Sequence, residues 1–458
     1  MALTTRTNKT TQQTEHLWKT WGHRHESTPS RVLSPRSISE LQEFVREYAV
    51  HNQRSGQMQH IKVVGASKST SAIAQPSELM VDLHYLTGVS SVSASERRAT
   101  FLAGTTVREA NNILAQYGLA FENLGRLDQQ TLAGAVSTGT HGSGLGFGGF
   151  STQVRELSLI TASGELLTCS STQNPEVFRA ALVGLGALGI LVSLTFDVVS
   201  MFRLHAEERG RAFNAIVPSF YERVKGSDHY ELSWFPGANE VRTRRLTRLP
   251  LLTDGYMNPQ AKISQARRHG GDYLLNNGVF EAMSLVGTTI PATQGVLNKV
   301  SNWGKGNRRY ADFAPRVFTQ HRTVRQNSME YAFDIEQFEA VIYDLQQHLT
   351  NQKAGSSFPL SVSVAAADNI PLSPAFGRDT VYISARTYWR ADCEEYFAGL
   401  EKIFNAHQGR PHWGQWHSLD ATQLRPLYPE FDSFVNLRSQ MDPNGMFLNP
   451  YLEKVLLD

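Results

Sequence analysis

The stretch Asn123–Gly149 concentrates residue types that can hold a ligand through the backbone. It carries eight glycines in 27 residues. Glycine lets a chain approach a ligand closely or adopt φ > 0 without a Cβ clash. Short hydroxyls stand between the glycines: Thr131, Ser137, Thr138, Thr140 and Ser143. Hydroxyls beside exposed backbone N–H groups suit phosphate oxygens and the polar edge of a heterocycle. A flexible linker is polar throughout, whereas Leu132, Ala133, Ala135 and Val136 are apolar. The pattern predicts a buried wall for a large phosphorylated cofactor.

Other glycine-rich runs point away from familiar nucleotide sites. Gly65-Ala-Ser-Lys-Ser-Thr ends like a P-loop, but Ser67 stands where the glycine before the lysine is required, so triphosphate hydrolysis is not expected. Gly184-Leu-Gly-Ala-Leu-Gly has dinucleotide-fold spacing. A helical pattern precedes it and a strand pattern follows, the reverse of a Rossmann fingerprint. Neither Gly-x-Ser-x-Gly nor His-Glu-x-x-His occurs. His412 and His417 lie five positions apart with no carboxylate or cysteine close by, so no metal site is expected there. Each can carry a proton or pack, hydrogen-bonded, against Trp413 and Trp416. Gln415, Glu330, Tyr331 and Arg386 complete the candidates for proton or anion chemistry. Glu330 suits catalysis or a structural ion pair; Arg386 suits an anionic substrate or an internal partner.

These groups need a sizeable scaffold. A chain of 458 residues exceeds one core and predicts two or three domains. Hydrophobic content of 41% with 19% charged residues is that of a soluble globular protein. Lys+Arg of 44 against Asp+Glu of 42 provides no footprint for nucleic acid or an anionic membrane. Two distant cysteines, Cys169 and Cys393, fit a reducing compartment and hence a cytoplasmic location. Residues 1–17 read as a polar tail without the apolar core of a secretory signal. Ala180–Phe196 approaches membrane-spanning length, but its three glycines and the following Asp197 predict a buried helix–loop–strand.

Periodicity places the elements. A helix opens at Ser37 or Ser39, and a strand at Ile61–Val64 runs into Gly65. Strands follow near Met80, Val89 and Ala99, then a helix over 107–117 and a hairpin over 154–169. Asn174-Pro starts another helix. Past residue 200, strand patterns at His229, Leu360 and Thr380 alternate with helices over 335–349 and 393–407. A basic insertion fills roughly 250–305, and the chain from Pro411 reads as irregular and aromatic-rich. The predicted units are 1–200, 201–410 and 411–458.

Several ordered motifs carry a family resemblance. Val64-Gly65-Ala66-Ser67-Lys68-Ser69, the Asp128–Gly144 wall and Gly186-Ala-Leu-Gly-Ile-Leu are three of them. His412-Trp-Gly-Gln-Trp-His and Asp442-Pro-Asn-Gly-Met-Phe-Leu-Asn complete the set. Together, over about residues 18–455, they resemble the vanillyl-alcohol-oxidase type of FAD flavoproteins. Within that type they resemble the sugar-lactone branch of gulonolactone and arabinonolactone oxidases or dehydrogenases and alditol oxidases.

The resemblance implies an α+β protein with a two-subdomain FAD-binding domain, completed by the C-terminal segment, under an α+β cap. It implies that Val64–Ser69 wraps the pyrophosphate. Ser137, Thr138, His141, Gly142 and Gly144 would line the flavin, and Gly189 and Ile190 would approach the adenosine. Asp128, Thr131, Ala133, Gly134, Thr140 and Asn449 join that cofactor set.

Four departures from the family pattern matter. Lys68 replaces the histidine that bonds the flavin 8α-methyl, which implies non-covalent FAD; the lysine can meet a phosphate or face solvent. Gln415 replaces a lysine near flavin N1, leaving a dipole where a cation stabilises developing charge. Ser361 and Ser363 occupy the positions of a Glu-x-Arg pair, and Arg386 that of a histidine. The implied reaction is oxidation of a secondary alcohol on a sugar lactone, polyol or related small molecule, with hydride passing to flavin N5. Oxygen or another acceptor then takes the electrons. Oxidation of a C–N or C–C bond on another scaffold, or flavin binding with weakened catalysis, are the rival readings.

Overall fold

The computed structural model describes residues 3–7, 14–251, 280–289, 306–320, 322–350 and 358–457. Most of the insertion expected over 250–305 therefore lies outside the described residues. The polar start is not wholly a tail: β1 (Leu3–Thr7), β2 (Thr14–Lys19) and β3 (Glu26–Ser27) form an antiparallel ribbon. The β-branched Thr residues of β1 favour a strand at a position where composition alone suggested none.

β4 (Arg31–Leu33), β5 (Ile61–Val64) and β6 (Leu79–Asp82) make a small parallel sheet in the order β4-β6-β5. Helix α1 (Ile38–Ser55) crosses between its strands. Ser37 caps α1 by accepting from Glu40 N, Gly56 ends it at φ 65°, and Leu41, Phe44 and Val45 face the core.

β7 (Val89–Ser93) and β8 (Arg98–Leu102) begin an antiparallel sheet. Helix α2 (Val107–Gln116) follows, started by a capping box between Thr106 and Glu109. After β9 (Leu119–Ala120), the sheet is completed by β10 (Val154–Ile160), β11 (Leu166–Ser170) and β12 (Ile190–Asp197) in the order β11-β10-β12-β8-β7. The glycine-rich wall contains a short helix, α3 (Leu132–Ser137), whose Leu132, Ala135 and Val136 are buried. Helix α4 (Pro175–Ala181) precedes the second glycine run, and β12 follows it. β13 (Val199–Ser200) pairs back to β9.

The remaining strands form one antiparallel sheet of eight. They are β14 (Arg203–Ala212), β15 (His229–Trp234), β16 (Glu240–Leu249), β17 (Arg308–Phe313), β18 (Gln326–Asp334), β19 (Leu360–Ala365), β20 (Thr380–Tyr388) and β21 (Arg410–Pro411). Their order is β17-β14-β16-β15-β19-β20-β18-β21. Helices Phe338–Thr350 and Glu394–Ala406 pack against each other and add Phe338, Val341, Leu345, Phe397, Leu400 and Phe404 to the core. One continuous apolar core runs through both the glycine-rich part and this large sheet.

The C-terminal segment departs from expectation. It is helical over Ala421–Leu424, Phe431–Met441 and Pro450–Leu456 rather than irregular. Asp420 and Gln423 form a capping box, while Asn449 caps a helix that has Pro450 at its first position. The aromatic content that suggested irregularity is core packing, since Tyr428, Phe431, Phe434 and Phe447 are buried. The segment returns to the small parallel sheet: Ile61 N donates to Met446 O at 2.8 Å, and Lys62 Nζ donates to Phe447 O at 3.1 Å.

Candidate active site: two joined cavities

A cavity of about 400 Å³ opens along the C-terminal end of β5 and the exposed side of α3. Val64, Gly65, Ala66, Ser67, Lys68 and Ser69 form one wall; Thr131, Ala133, Gly134, Ser137 and Thr138 form the next; Gly189 and Ile190 close a third. Gly65 is required where the turn meets α3, because a Cβ there would stand 2.5 Å from Thr131 Oγ1, the atom that caps α3. Two non-glycine residues with left-handed backbone, Ser67 at φ 51° and Leu185 at φ 56°, both line this cavity. Such strain persists where surrounding contacts hold it, and it gathers at ligand sites. Trp18 Nε1 holds Ser67 by donating to its Oγ at 2.9 Å.

A second cavity of about 150 Å³ shares Lys68, Ser69, Gln130 and Thr138 with the first. The joined space runs from the strained turn to the face of the large sheet. Thr140, His141 and Gly142 contribute from the glycine-rich wall, and His412 and Gln415 from the C-terminal segment. Glu330, Ser361, Ser363 and Arg386 contribute from β18, β19 and β20. Strand register explains their convergence. Glu330 is opposite Ser384, which is opposite Ser361; one step along, Ser328 is opposite Arg386. Ser233 is opposite Ser361, which puts Glu231, two residues earlier, on the same face.

His141 and Glu330 form the central ion pair, Nε2 to Oε1 at 3.0 Å. His141 Nδ1 lies 3.0 Å from Gly142 O, and its ring stacks on Tyr382 at 3.6 Å. Both ring nitrogens therefore face oxygen acceptors, which requires the imidazolium. Burial opposes that charge, but the Glu330 carboxylate and its hydrogen bond raise His141 above its ordinary value. Burial likewise pushes Glu330 up, yet the His141 imidazolium, by its charge and its hydrogen bond, and the Arg386 guanidinium bring it down to about 2. The other carboxylate oxygen of Glu330 has no hydrogen bond among the described residues.

Burial lowers His412 to about 4, so it is neutral near pH 7. Gly414 N donates to its Nδ1 at 3.1 Å, which leaves the proton on Nε2 and makes His412 a donor toward the cavity. Gln415 Oε1 is buried without a hydrogen-bond partner among the described residues. Lys68 Nζ sits 3.2 Å over the Trp21 ring, and burial, with Arg108 and Arg325 nearby, lowers it to about 8.

Other predicted residues stand outside the lining of both cavities. Asp128 receives two hydrogen bonds from Arg108, at 2.8 and 3.0 Å. Gly144 packs against the chain at Asp228, whose carbonyl would lie 2.3 Å from an added Cβ. His417 Nε2 accepts from Tyr451 at 2.7 Å, and burial lowers the imidazole to about 3. Tyr331, on the opposite face of β18, donates to Glu401 at 2.6 Å. Asn449 caps its helix and donates to Ala72 O and Gln75 O, tethering the chain just after the strained turn. Sequence reasoning missed Trp21, Lys62, Arg126, Glu231, Arg322 and Ser384. Only Lys62 left a linear signal, as a lone charge inside the apolar strand Ile61–Val64.

The chain resembles known proteins along most of its length. Residues 194–455 match the D-arabinono-1,4-lactone oxidase family, and residues 29–170 match the FAD binding domain. The chain belongs to the D-arabinono-1,4-lactone oxidase family. It is 32% identical over 443 residues to an L-gulono-1,4-lactone dehydrogenase of Mycobacterium tuberculosis, covering 96% of this chain and 99% of that one. It is 29% identical to an L-gulonolactone oxidase of Bos taurus, covering 96% and 98%. A cholesterol oxidase from Brevibacterium sterolicum superposes with a TM-score of 0.75 at 14% identity, covering 99% of this chain and 98% of that one, a likeness of fold.

As a member of this family the chain is an FAD-dependent oxidoreductase, and the residues present fit FAD. The larger cavity offers hydroxyls and an ammonium for an anion in a cleft long enough to continue into the second. The second supplies an unpartnered buried carbonyl oxygen at Gln415. No helix among the described residues is long and apolar enough to cross a membrane.

Proposed function

We propose that this protein oxidises a secondary alcohol of a sugar lactone, polyol or related hydroxylated molecule, with FAD lying across both cavities. The walls Val64–Ser69 and Thr131–Thr138 would hold the dinucleotide, and the smaller cavity would hold the substrate. When bound, FAD supplies the hydride acceptor. The observation that carries the reading is Glu330: a buried carboxylate with one oxygen fixed by His141 and the other free in the substrate cavity.

Glu330 accepts the hydrogen bond of the reacting hydroxyl and so aligns its C–H bond. A carboxylate held near 2 is a weak base in isolation. It becomes competent because the hydroxyl proton grows acidic as the carbon gives up hydride. His141, as an imidazolium, keeps Glu330 ionised and in place. His412 donates from Nε2, and the Ser361 and Ser363 hydroxyls are available to further substrate hydroxyls. Cap-sheet residues thus bind and orient, and they shield the reacting centre from water.

Lys68, stacked over Trp21 in place of a bonding histidine, supports non-covalent FAD. The expected outcome is a colourless pellet and a yellow supernatant after acid precipitation. Two buried, free cysteines support a reducing, cytoplasmic setting, with oxygen or another acceptor reoxidising the flavin. The test is anaerobic addition of aldonolactones, polyols and hydroxy acids to FAD-loaded protein while the visible flavin band is followed. Bleaching by at least one compound is expected. A band unmoved by the whole set, with FAD bound, contradicts the reading.

A further inference from the structure

The smaller cavity carries more positive charge than a neutral sugar lactone needs. Arg126, Arg322 and Arg386 line it together with Glu231 and Glu330. Each carboxylate already has a cationic partner. Glu231 pairs with Arg126 and with Arg244, and Glu330 pairs with His141. Arg322 donates a long hydrogen bond to Gln320 Oε1 at 3.4 Å and forms no ion pair with a carboxylate among the described residues. Arg386 donates to Ser361 Oγ at 2.7 Å and feels the carboxylates of Glu330 and Glu231.

A guanidinium does not readily shed its proton, so clustering several in a partly desolvated space is unfavourable until a counter-charge arrives. Burial, with Arg386 and Arg126 close by, pushes Arg322 well below its ordinary range, and the Glu231 carboxylate offsets this only in part. Ser361 and Ser363 leave the middle strand neutral, while the charges stand on β15, β18 and β20, on the segment before β18 and, at Arg126 and His141, on the glycine-rich wall.

We propose that the smaller cavity takes an anionic polyhydroxy substrate, its carboxylate bound by Arg322 with Arg386, and a carbinol carbon presented beside Glu330. A carboxylate matches the guanidinium fork and supplies the missing charge. The remaining hydroxyls meet Ser361, Ser363 and Ser328. Open-chain sugar acids combine these features; lactones and polyols lack the charge. This deepens the reading of the same cavity as a substrate site and rests on it.

The test uses FAD-loaded protein and three matched probes: D-galactonate, D-galactono-1,4-lactone and galactitol, with binding measured by anaerobic calorimetry. Galactonate is expected to bind at least about tenfold more tightly than either neutral probe, the yield of one charge-assisted contact. Arg322→Leu should weaken galactonate by about 10–100-fold and leave the neutral probes within about twofold. Arg322→Lys should restore part of the loss.

If Arg322→Leu does not fold, raising chloride on the wild type serves instead, weakening galactonate alone. Equal binding of all three probes, no binding of galactonate at millimolar concentration, or equal weakening of all three by Arg322→Leu overturns the proposal. Failure of the redox reading is distinct: it appears as an unbleached flavin, whatever the binding preference.

Discussion

The two cavities share four residues yet are built differently. The larger is a product of backbone: a strained turn at Ser67, a six-residue helix capped by Thr131, and glycines placed where chains touch. The smaller is built largely by charged and polar side chains: one face of the large sheet supplies Glu231, Glu330, Ser361, Ser363 and Arg386, and His141, His412 and Gln415 meet them from outside it. Backbone shape suits a cofactor that must be the same in every relative. Side chains can be exchanged strand by strand, so the substrate face can diverge while the cofactor cleft stays.

The largest expected effect tests the side-chain half. Glu330→Gln keeps the shape and removes the charge, and anaerobic flavin reduction should slow by about 10²–10⁴-fold. FAD affinity should be unchanged. A reduction rate within a few-fold of wild type would remove Glu330 from the reaction.

The backbone half is tested by Gly65→Val. The new Cβ would meet Thr131 Oγ1 at 2.5 Å and dislodge the cap of α3. Overpacking of this kind costs about 1–3 kcal/mol, so FAD should bind roughly 10–100-fold more weakly. Fluorescence quenching on FAD titration reads the change. Unaltered affinity would show that the turn and α3 do not shape the cleft.

A more modest change is expected where the halves meet. Gln415→Lys adds a cation in the second cavity and should raise the flavin midpoint potential by about 30 mV, equivalent to about 1.4 kcal/mol for two electrons. A potential that stays or falls would mean that position 415 is not close to the flavin.

The smallest effect concerns Lys62, fully buried beside the cofactor cleft and lowered to about 7 by burial, against the pull of Asp442. Between pH 7 and its ordinary 10.5 the unfolded chain holds more protons than the folded one, so this lysine's penalty fades as pH rises. Lys62→Met should therefore improve the urea midpoint of FAD-free protein more at pH 6.5 than at pH 9.5, relative to wild type (pH values chosen roughly on either side of the shifted value). A gap that widens with pH contradicts the assignment.

Much of the backbone-built cleft could be read along the chain. Gly65, Thr131 and Gly134 announce themselves by local spacing, as did α1 through Ser37 and α2 through its apolar periodicity. The resemblance rested on the same local motifs. The charged face was less accessible because its members are neighbours only through register: Glu231, Ser384 and Arg322 lie on separate segments. Nothing in the linear order says that Glu330 and Ser361 flank Ser384. Composition also misled at the ends. The threonine-rich start contains strands, and the aromatic C-terminal segment is helical because its rings fill the core. Asn449 and His417, singled out for chemistry, brace the chain around the cleft.

The division between the halves is tested most directly by the FAD dissociation constant of an Arg322→Leu/Glu330→Gln double variant. The backbone-built cleft predicts a value within about threefold of wild type, less than about 0.7 kcal/mol, while flavin reduction by substrate is lost. Loss of FAD together with activity would contradict separate construction of the two sites.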